Sequence, residues 1–316
     1  RAQGVALAVL PGDDRADVRL AEYGTVPETC AEALLGYFQP GGVENMRRLL
    51  GGIERVLLAQ CDPLSGASRH LLPQGEKGRT GTVFPFSPCG RKWPGEAGTD
   101  EESLRPLDLS PIPLPPLFAL SPDDSPLDWR SALAALPADR ALIPILVYRS
   151  GVTAGDIAMA QSLSAALAAR GHAPLVLALT SLKDTAVTSE LAALIALREP
   201  TLIVTTTAFS ARDGQGFVLD AADCPILQAV PVGSAREAWA ASPRGLSAVD
   251  LAMQVALPEF DGRIGAVPVA FKADAKDAAT GLAIRRLVPD PDGVAALADL
   301  ATGWIALGRK PPAERR

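Results

Sequence analysis

From residue 141 onward, apolar and polar positions follow two alternating rhythms. The runs 143–148, 175–180, 202–207 and 225–230 are short, apolar and bounded by turn residues, which predicts buried strands. Between the first two, Ile157, Ala160, Leu163 and Leu167 recur at helical spacing over 156–170, and Gly171 ends the helix. A short helix is predicted over 190–198 and a longer helical region over 235–255. Strands separated by helices at roughly 30-residue spacing predict a doubly wound parallel α/β sheet over about 141–275, followed by a C-terminal helical extension. Upstream, 5–10 reads as a buried strand stopped by Pro11-Gly12-Asp13-Asp14. A helix is predicted from Thr25-Val26-Pro27-Glu28 to about 38, and a second over 43–59 with Met46, Leu49, Leu50, Ile53 and Leu57 on one side. These elements predict part of a second α/β lobe at the N-terminus, entered in mid-domain.

The stretch between breaks both rhythms. Residues 61–130 hold twelve of the 28 prolines, and Pro111-Ile112-Pro113-Leu114-Pro115-Pro116 favours extended polyproline geometry. The expected organisation is a partial lobe over 1–60, a Pro/Gly-rich insert or linker over 61–140, and the doubly wound domain with its helical extension over 141–316.

Composition narrows the function classes. Hydrophobic residues make up 48% of the 316 and charged residues 21%, enough for a packed core. The net charge is -6 and Lys and Arg form no basic stripe, so a nucleic-acid partner is not expected. No apolar run approaches the roughly 20 residues that span a bilayer. The four cysteines (Cys30, Cys61, Cys89, Cys224) form no CxxC pair; a reduced, cytoplasmic setting and no metal site on this chain are expected. Of the two histidines, His172 falls in a turn at the wrong end of the sheet for a site and His70 in the irregular segment.

Open α/β sheets bind ligands beyond the carboxyl ends of their strands. The loops there are 149–156, 181–184, 208–216 and 232–237, all rich in Ser, Thr, Gly and charge. Four segments stand out, the first three of which overlap these loops: Ile143 to Ser150, Thr205-Thr-Thr-Ala-Phe-Ser-Ala-Arg212, Gly233-Ser-Ala-Arg-Glu-Ala-Trp239 with Gly245 to Ala252, and Leu257-Pro-Glu-Phe-Asp-Gly-Arg263. In order and spacing these resemble the large subunit of aerobic cobaltochelatase, a relative of the magnesium chelatase H subunit. Gly41-Gly42-Val43-Glu44-Asn45 fits the same family upstream, and the chain would form its N-terminal to early-middle segment. Ala235 stands where the family pattern has a hydroxyl residue, so a loop donor is expected to be lost.

The resemblance implies ATP-dependent insertion of Co(II), the substrate metal, into hydrogenobyrinic acid a,c-diamide during cobalamin biosynthesis. It implies as partners the corrinoid tetrapyrrole, an AAA+ motor subunit and that motor's companion, with ATP and Mg bound by those subunits. The absence of a Gly-x4-Gly-Lys-Ser/Thr loop agrees with ATP binding elsewhere. The segment alone is expected to be inactive. Two alternatives are a docking module for the motor subunits and the H subunit of magnesium chelatase. A third, a periplasmic-binding-like receptor, rests on fold analogy.

Metal insertion requires a grip on the macrocycle rim, removal of pyrrole protons and a dehydrated metal. Arg guanidinium forks suit rim carboxylates. Arg149, Arg212 and Arg236 are therefore candidate binders, with Ser210 and Ser234 as donors and Trp239 as a stacking ring; Phe209 is a second ring of that kind. Ser234 could instead cap a helix, and Glu237 could be an internal partner for Arg236. Glu259 and Asp261 are the candidate acid–base or metal-delivery carboxylates, two positions apart and on one side if the loop is extended. The competing structural role is that they cap turns and pair with Arg263.

Overall fold

The computed structural model describes residues 7–11, 18–26, 28–38, 40–42, 44–51, 53, 111–121, 125–214, 216–276 and 281–315. The chain divides into two units, Arg1–Pro113 and Leu114–Arg316.

In the first unit, a 3-10 turn (Val18–Glu22) precedes α1 (Glu28–Phe38) and α2 (residues 44–51). Leu34, Tyr37 and Leu49 are buried together, with Ala8, Leu10, Met46 and Ile53 packed against them. Asn45 explains its own motif: its side-chain amide donates to the Gly41 and Ile112 carbonyls at 2.8 and 2.9 Å, and its Oδ1 accepts from the Ile112 N–H at 2.8 Å. Residues 7–10 join no strand. The Leu7 N–H donates to Thr25 Oγ1 at 2.7 Å and the Leu7 carbonyl accepts from the Thr25 N–H at 2.7 Å, so local clasping replaces the expected ladder over 5–10. Residues 5 and 6 lie outside the described residues, as do His70, Cys61 and Cys89.

The second unit is built on eight strands: β1 (Leu117–Leu120), β2 (Pro126–Leu127), β3 (Leu142–Tyr148), β4 (Ala173–Leu179), β5 (Ile203–Thr205), β6 (Ile226–Val232), β7 (Ile264–Lys276) and β8 (Ala283–Pro289). Their order is β2-β1-β4-β3-β5-β6-β7-β8. The five from β4 to β7 are mutually parallel, while β1, β2 and β8 add antiparallel edges. The parallel core has the flavodoxin-like order 2-1-3-4-5, whose switch point falls between β3 and β5.

Helices cover both faces, which is why β3 and β4 read as unbroken apolar runs. The side-chain period of two divides them. Ile143, Ile145, Val147, Val176 and Ala178 face α5 (Ala158–Ala169) and α10 (Pro291–Arg309). Leu142, Leu146, Leu175, Leu177 and Leu179 face α3 (Trp129–Ala135) and α6 (Thr185–Leu197). The remaining helices sit at the strand ends: α4 (Arg149–Thr153), α7 (Arg236–Ala241), and a continuous run made of α8 (Ala248–Asp250), a π turn (Leu251–Ala256) and α9 (Leu257–Glu259). No helix among the described residues is long and apolar enough to cross a membrane.

Three features differ from the sequence expectation. Residues 117–135, expected in the linker, supply β1 and α3 to the sheet unit, because Phe118 and Trp129 are buried against it. The sheet extends past 275 through β7, whose apolar run over 266–271 is broken by Pro268 and gives way to a polar second half, and β8, which has no fully buried residue. The C-terminal helix α10 is part of the core, burying Val294, Leu297, Ala298, Ala301 and Ile305. Gly293 lets its first turn approach β7: a Cβ there would overlap the Pro268 carbonyl oxygen.

Candidate functional site

At the switch point, the carboxyl ends of β3 and β5 open into a cleft of about 480 Å³. Tyr148 ends β3, Ser181 to Lys183 follow β4, and Thr207 to Arg212 follow β5; Leu257 and Arg263 complete the wall. A larger hollow of about 710 Å³ lies at the opposite edge, between the starts of β5 and β6 and the end of α10. Sheet topology favours the smaller one, because parallel strands present their ligand-binding loops at the carboxyl ends.

The floor is a buried polar network. Arg263 and Asp261 are each 1% exposed and pair at 2.7 Å. Arg263 also donates to the Thr207 carbonyl at 2.8 Å and to Thr207 Oγ1 at 3.0 Å, and its guanidinium lies 5.6 Å from the centre of the Phe217 ring. Its Nε is buried without a hydrogen-bond partner among the described residues. Thr205 Oγ1 and Thr207 Oγ1 are 2.8 Å apart, and Gln228 donates to the Thr207 carbonyl at 3.1 Å.

Asp261 is saturated. It accepts from the Ser210 hydroxyl at 2.6 Å, the Ala211 N–H at 2.9 Å, the Arg212 N–H at 2.9 Å and the Arg263 guanidinium at 2.7 Å. Burial pushes its pKa up, but the hydrogen bonds and the Arg263 charge outweigh it and hold the carboxyl below the usual range. Burial likewise lowers the Arg263 pKa, against the opposing pull of Asp261. Burial raises that of Tyr148, whose hydroxyl donates to the Ala208 carbonyl at 3.2 Å.

The structure therefore separates the two expected carboxylates. They do not share one side of an extended loop, because 257–259 is helical and Phe260 to Gly262 turn. Asp261 has no lone pair left for substrate or metal and performs the structural role, pairing with Arg263. Glu259 is exposed and is not among the cleft-lining residues.

The expected binders fall into two groups. Ser210 and Arg212 line the cleft, but the Arg212 guanidinium is occupied by Asp220 at 2.7 and 2.8 Å and by the Phe260 carbonyl at 3.2 Å. Arg149 begins α4 outside the cleft lining, where its charge helps depress the pKa of Asp184, chiefly held down by the Thr180 hydroxyl. Ser234, Arg236 and Trp239 form a separate cluster over β7. Arg236 pairs with Asp290 at 2.8 Å rather than with Glu237, and Trp239 packs on Phe271 with ring centres 5.2 Å apart. Ala235, not Ser234, is the N-cap of α7, and no side chain caps that helix. His172 is buried against Thr302 Oγ1 at 3.0 Å, and burial lowers its pKa.

Sequence reasoning passed over Lys183, an exposed cation on the cleft lining, and gave Arg263 only a pairing role. The available signal was a charge directly before a strand, two residues after an acid, with three hydroxyl residues at the end of β5.

The model of the CobN/Magnesium Chelatase family matches residues 35–316. The chain belongs to this family. It is 32% identical to the aerobic cobaltochelatase subunit CobN of Pseudomonas aeruginosa over 99% of its own length, and 32% identical to that of a Sinorhizobium species over 98%. The catalytic subunit of cobaltochelatase from Mycobacterium tuberculosis shares its fold over 99% of the chain, with a TM-score of 0.65 and 26% identity. The chain spans 22% of the length of each of these relatives.

Proposed function

We propose that the chain is a segment of the large, tetrapyrrole-binding subunit of an ATP-dependent cobaltochelatase. The whole subunit inserts Co(II) into hydrogenobyrinic acid a,c-diamide in the cytoplasm, and an AAA+ motor and its companion subunit bind ATP and Mg. The observation that carries this reading is the 32% identity, over 99% of the chain, to a named cobaltochelatase subunit. The cleft at the β3–β5 switch point supports it, since that edge combines the exposed Lys183 with a buried polar floor. Cobalt is favoured over magnesium because both curated relatives named above are cobaltochelatase subunits.

Within this reading, Lys183 and Ser181 hold carboxylate and amide groups of the macrocycle rim, and Ser210 and Arg212 keep the loop after β5 in shape. Ser234, Arg236 and Trp239 brace the neighbouring wall, and Arg149 sets the charge around loop 181–184. Glu259 remains the carboxylate open to solvent for proton transfer.

The test is a titration of the full-length subunit with metal-free hydrogenobyrinic acid a,c-diamide, followed by cobalt insertion with the partner subunits present. Saturable binding, weakened in Lys183→Ala, is expected. No binding by the wild-type subunit refutes the reading.

A further inference from the structure

Phe209 is held in an unusual way. Its backbone is left-handed, φ 64°, and the residue is 48% exposed and lines the cleft. Asp223 is the other described non-glycine residue with positive φ, and a short polar side chain tolerates that region. A bulky aromatic does not do so without strain, which persists only where the surroundings over-determine it.

They do so here. The Phe209 N–H donates to the Met253 carbonyl at 2.8 Å, in the π turn. Tyr148 holds the Ala208 carbonyl, Gln228 and Arg263 hold that of Thr207, and Asp261 takes the Ser210 hydroxyl and the next two N–H groups. Every residue from Thr207 to Arg212 is thus tied to a residue outside the loop, the last three of them to Asp261, and the outcome of these ties is an exposed aromatic on the cleft instead of one in the core. Glycine would satisfy the same backbone with no strain. The ring is therefore not required by the loop's backbone, and its exposure leaves it available to something outside the fold.

Resting on the reading proposed above, we infer that Phe209 is a pre-positioned face-contact residue for the flat conjugated ring system of the tetrapyrrole, with Lys183 and Ser181 taking its charged and amide periphery. A fixed ring binds a planar partner with little ordering cost, and offset stacking adds to the apolar area it covers.

The experiment compares wild type, Phe209→Gly, Phe209→Tyr and Lys183→Ala in the full-length subunit. Affinity for metal-free hydrogenobyrinic acid a,c-diamide is read from its absorbance and fluorescence, alongside thermal unfolding. Phe209→Gly is expected to bind on the order of tenfold more weakly while its melting temperature stays level or rises; Phe209→Tyr restores affinity. A Phe209→Gly subunit that binds as wild type overturns this inference, and leaves the reading of the cleft standing if Lys183→Ala is weakened. A wild-type subunit that binds nothing overturns the proposed function itself. Loss of affinity accompanied by a lower melting temperature in Phe209→Gly, unrescued by Phe209→Tyr, assigns Phe209 to the fold and overturns the inference as well.

Discussion

Asp261→Asn isolates the contribution of the buried network. The substitution keeps the shape but removes the negative charge facing Arg263, and it places an amide N–H2 among four donors that all require acceptors. A buried ion pair broken on one side costs about 3–5 kcal/mol, because the remaining charge is left unpaired. The lost charge-assisted hydrogen bonds are part of that figure, not an addition to it. For a unit of the size of Leu114–Arg316, this corresponds to a fall of about 6–20 °C in melting temperature. Acidity gives a second readout. The folded-state pKa of Asp261 lies below its unfolded value of about 3.9. Its contribution is therefore complete above that unfolded pKa and disappears as pH falls through the lower folded one. The stability gap between wild type and Asp261→Asn, measured by calorimetry, should narrow as pH falls below about 4. Adding Arg263→Met to Asp261→Asn should recover part of the loss, since the unpaired charge goes with it. A loss below about 1 kcal/mol, or a gap indifferent to acid, would refute the reasoning.

Two further outcomes follow from local geometry. Gly293→Ala should lower the urea midpoint by the equivalent of about 1–3 kcal/mol or more, as α10 is pushed off Pro268; an unchanged midpoint contradicts the close approach. Burial pushes the Cys224 thiol up to about 12. Alkylation by iodoacetamide at pH 8, followed by peptide mass spectrometry, should thus be on the order of a thousandfold slower at Cys224 than at a free thiol; comparable rates would refute its protonated state.

The parts of the fold legible in the sequence are those whose burial is two-sided. β3, β4 and β6 announce themselves because both of their faces are covered, and α5 because its apolar stripe is regular. β7 is less plain because Gly265 and Pro268 punctuate its apolar run over 266–271 and its second half, from Lys272, is polar. β1 is hidden because it follows a polyproline stretch. The site was legible in location more than in role. Topology marked the loop after β5, and Ser210 and Arg212 do line the cleft, but residue type alone does not distinguish an acid that meets a ligand from one that fastens a loop. Asp261 is decided by its neighbours, three of which come from a loop some fifty positions earlier. Lys183 drew no attention because an exposed lysine in a turn is commonplace.

The π turn at Leu251–Ala256 also sets a rotational phase. Each residue of an α-helix advances the azimuth by about 100°, and a π turn is a local departure from that count. With one residue fewer, the run would continue as a regular helix, but everything after it would be rotated by about that angle. The peptide leading to Asp261 would then leave the helix in a different direction, and the Met253 carbonyl would fall back into the helical ladder. The bulge therefore acts as a vernier: it aligns a carbonyl in the helix and a carboxylate just beyond it with successive residues of the same loop, a registration that an uninterrupted 3.6-residue repeat does not supply.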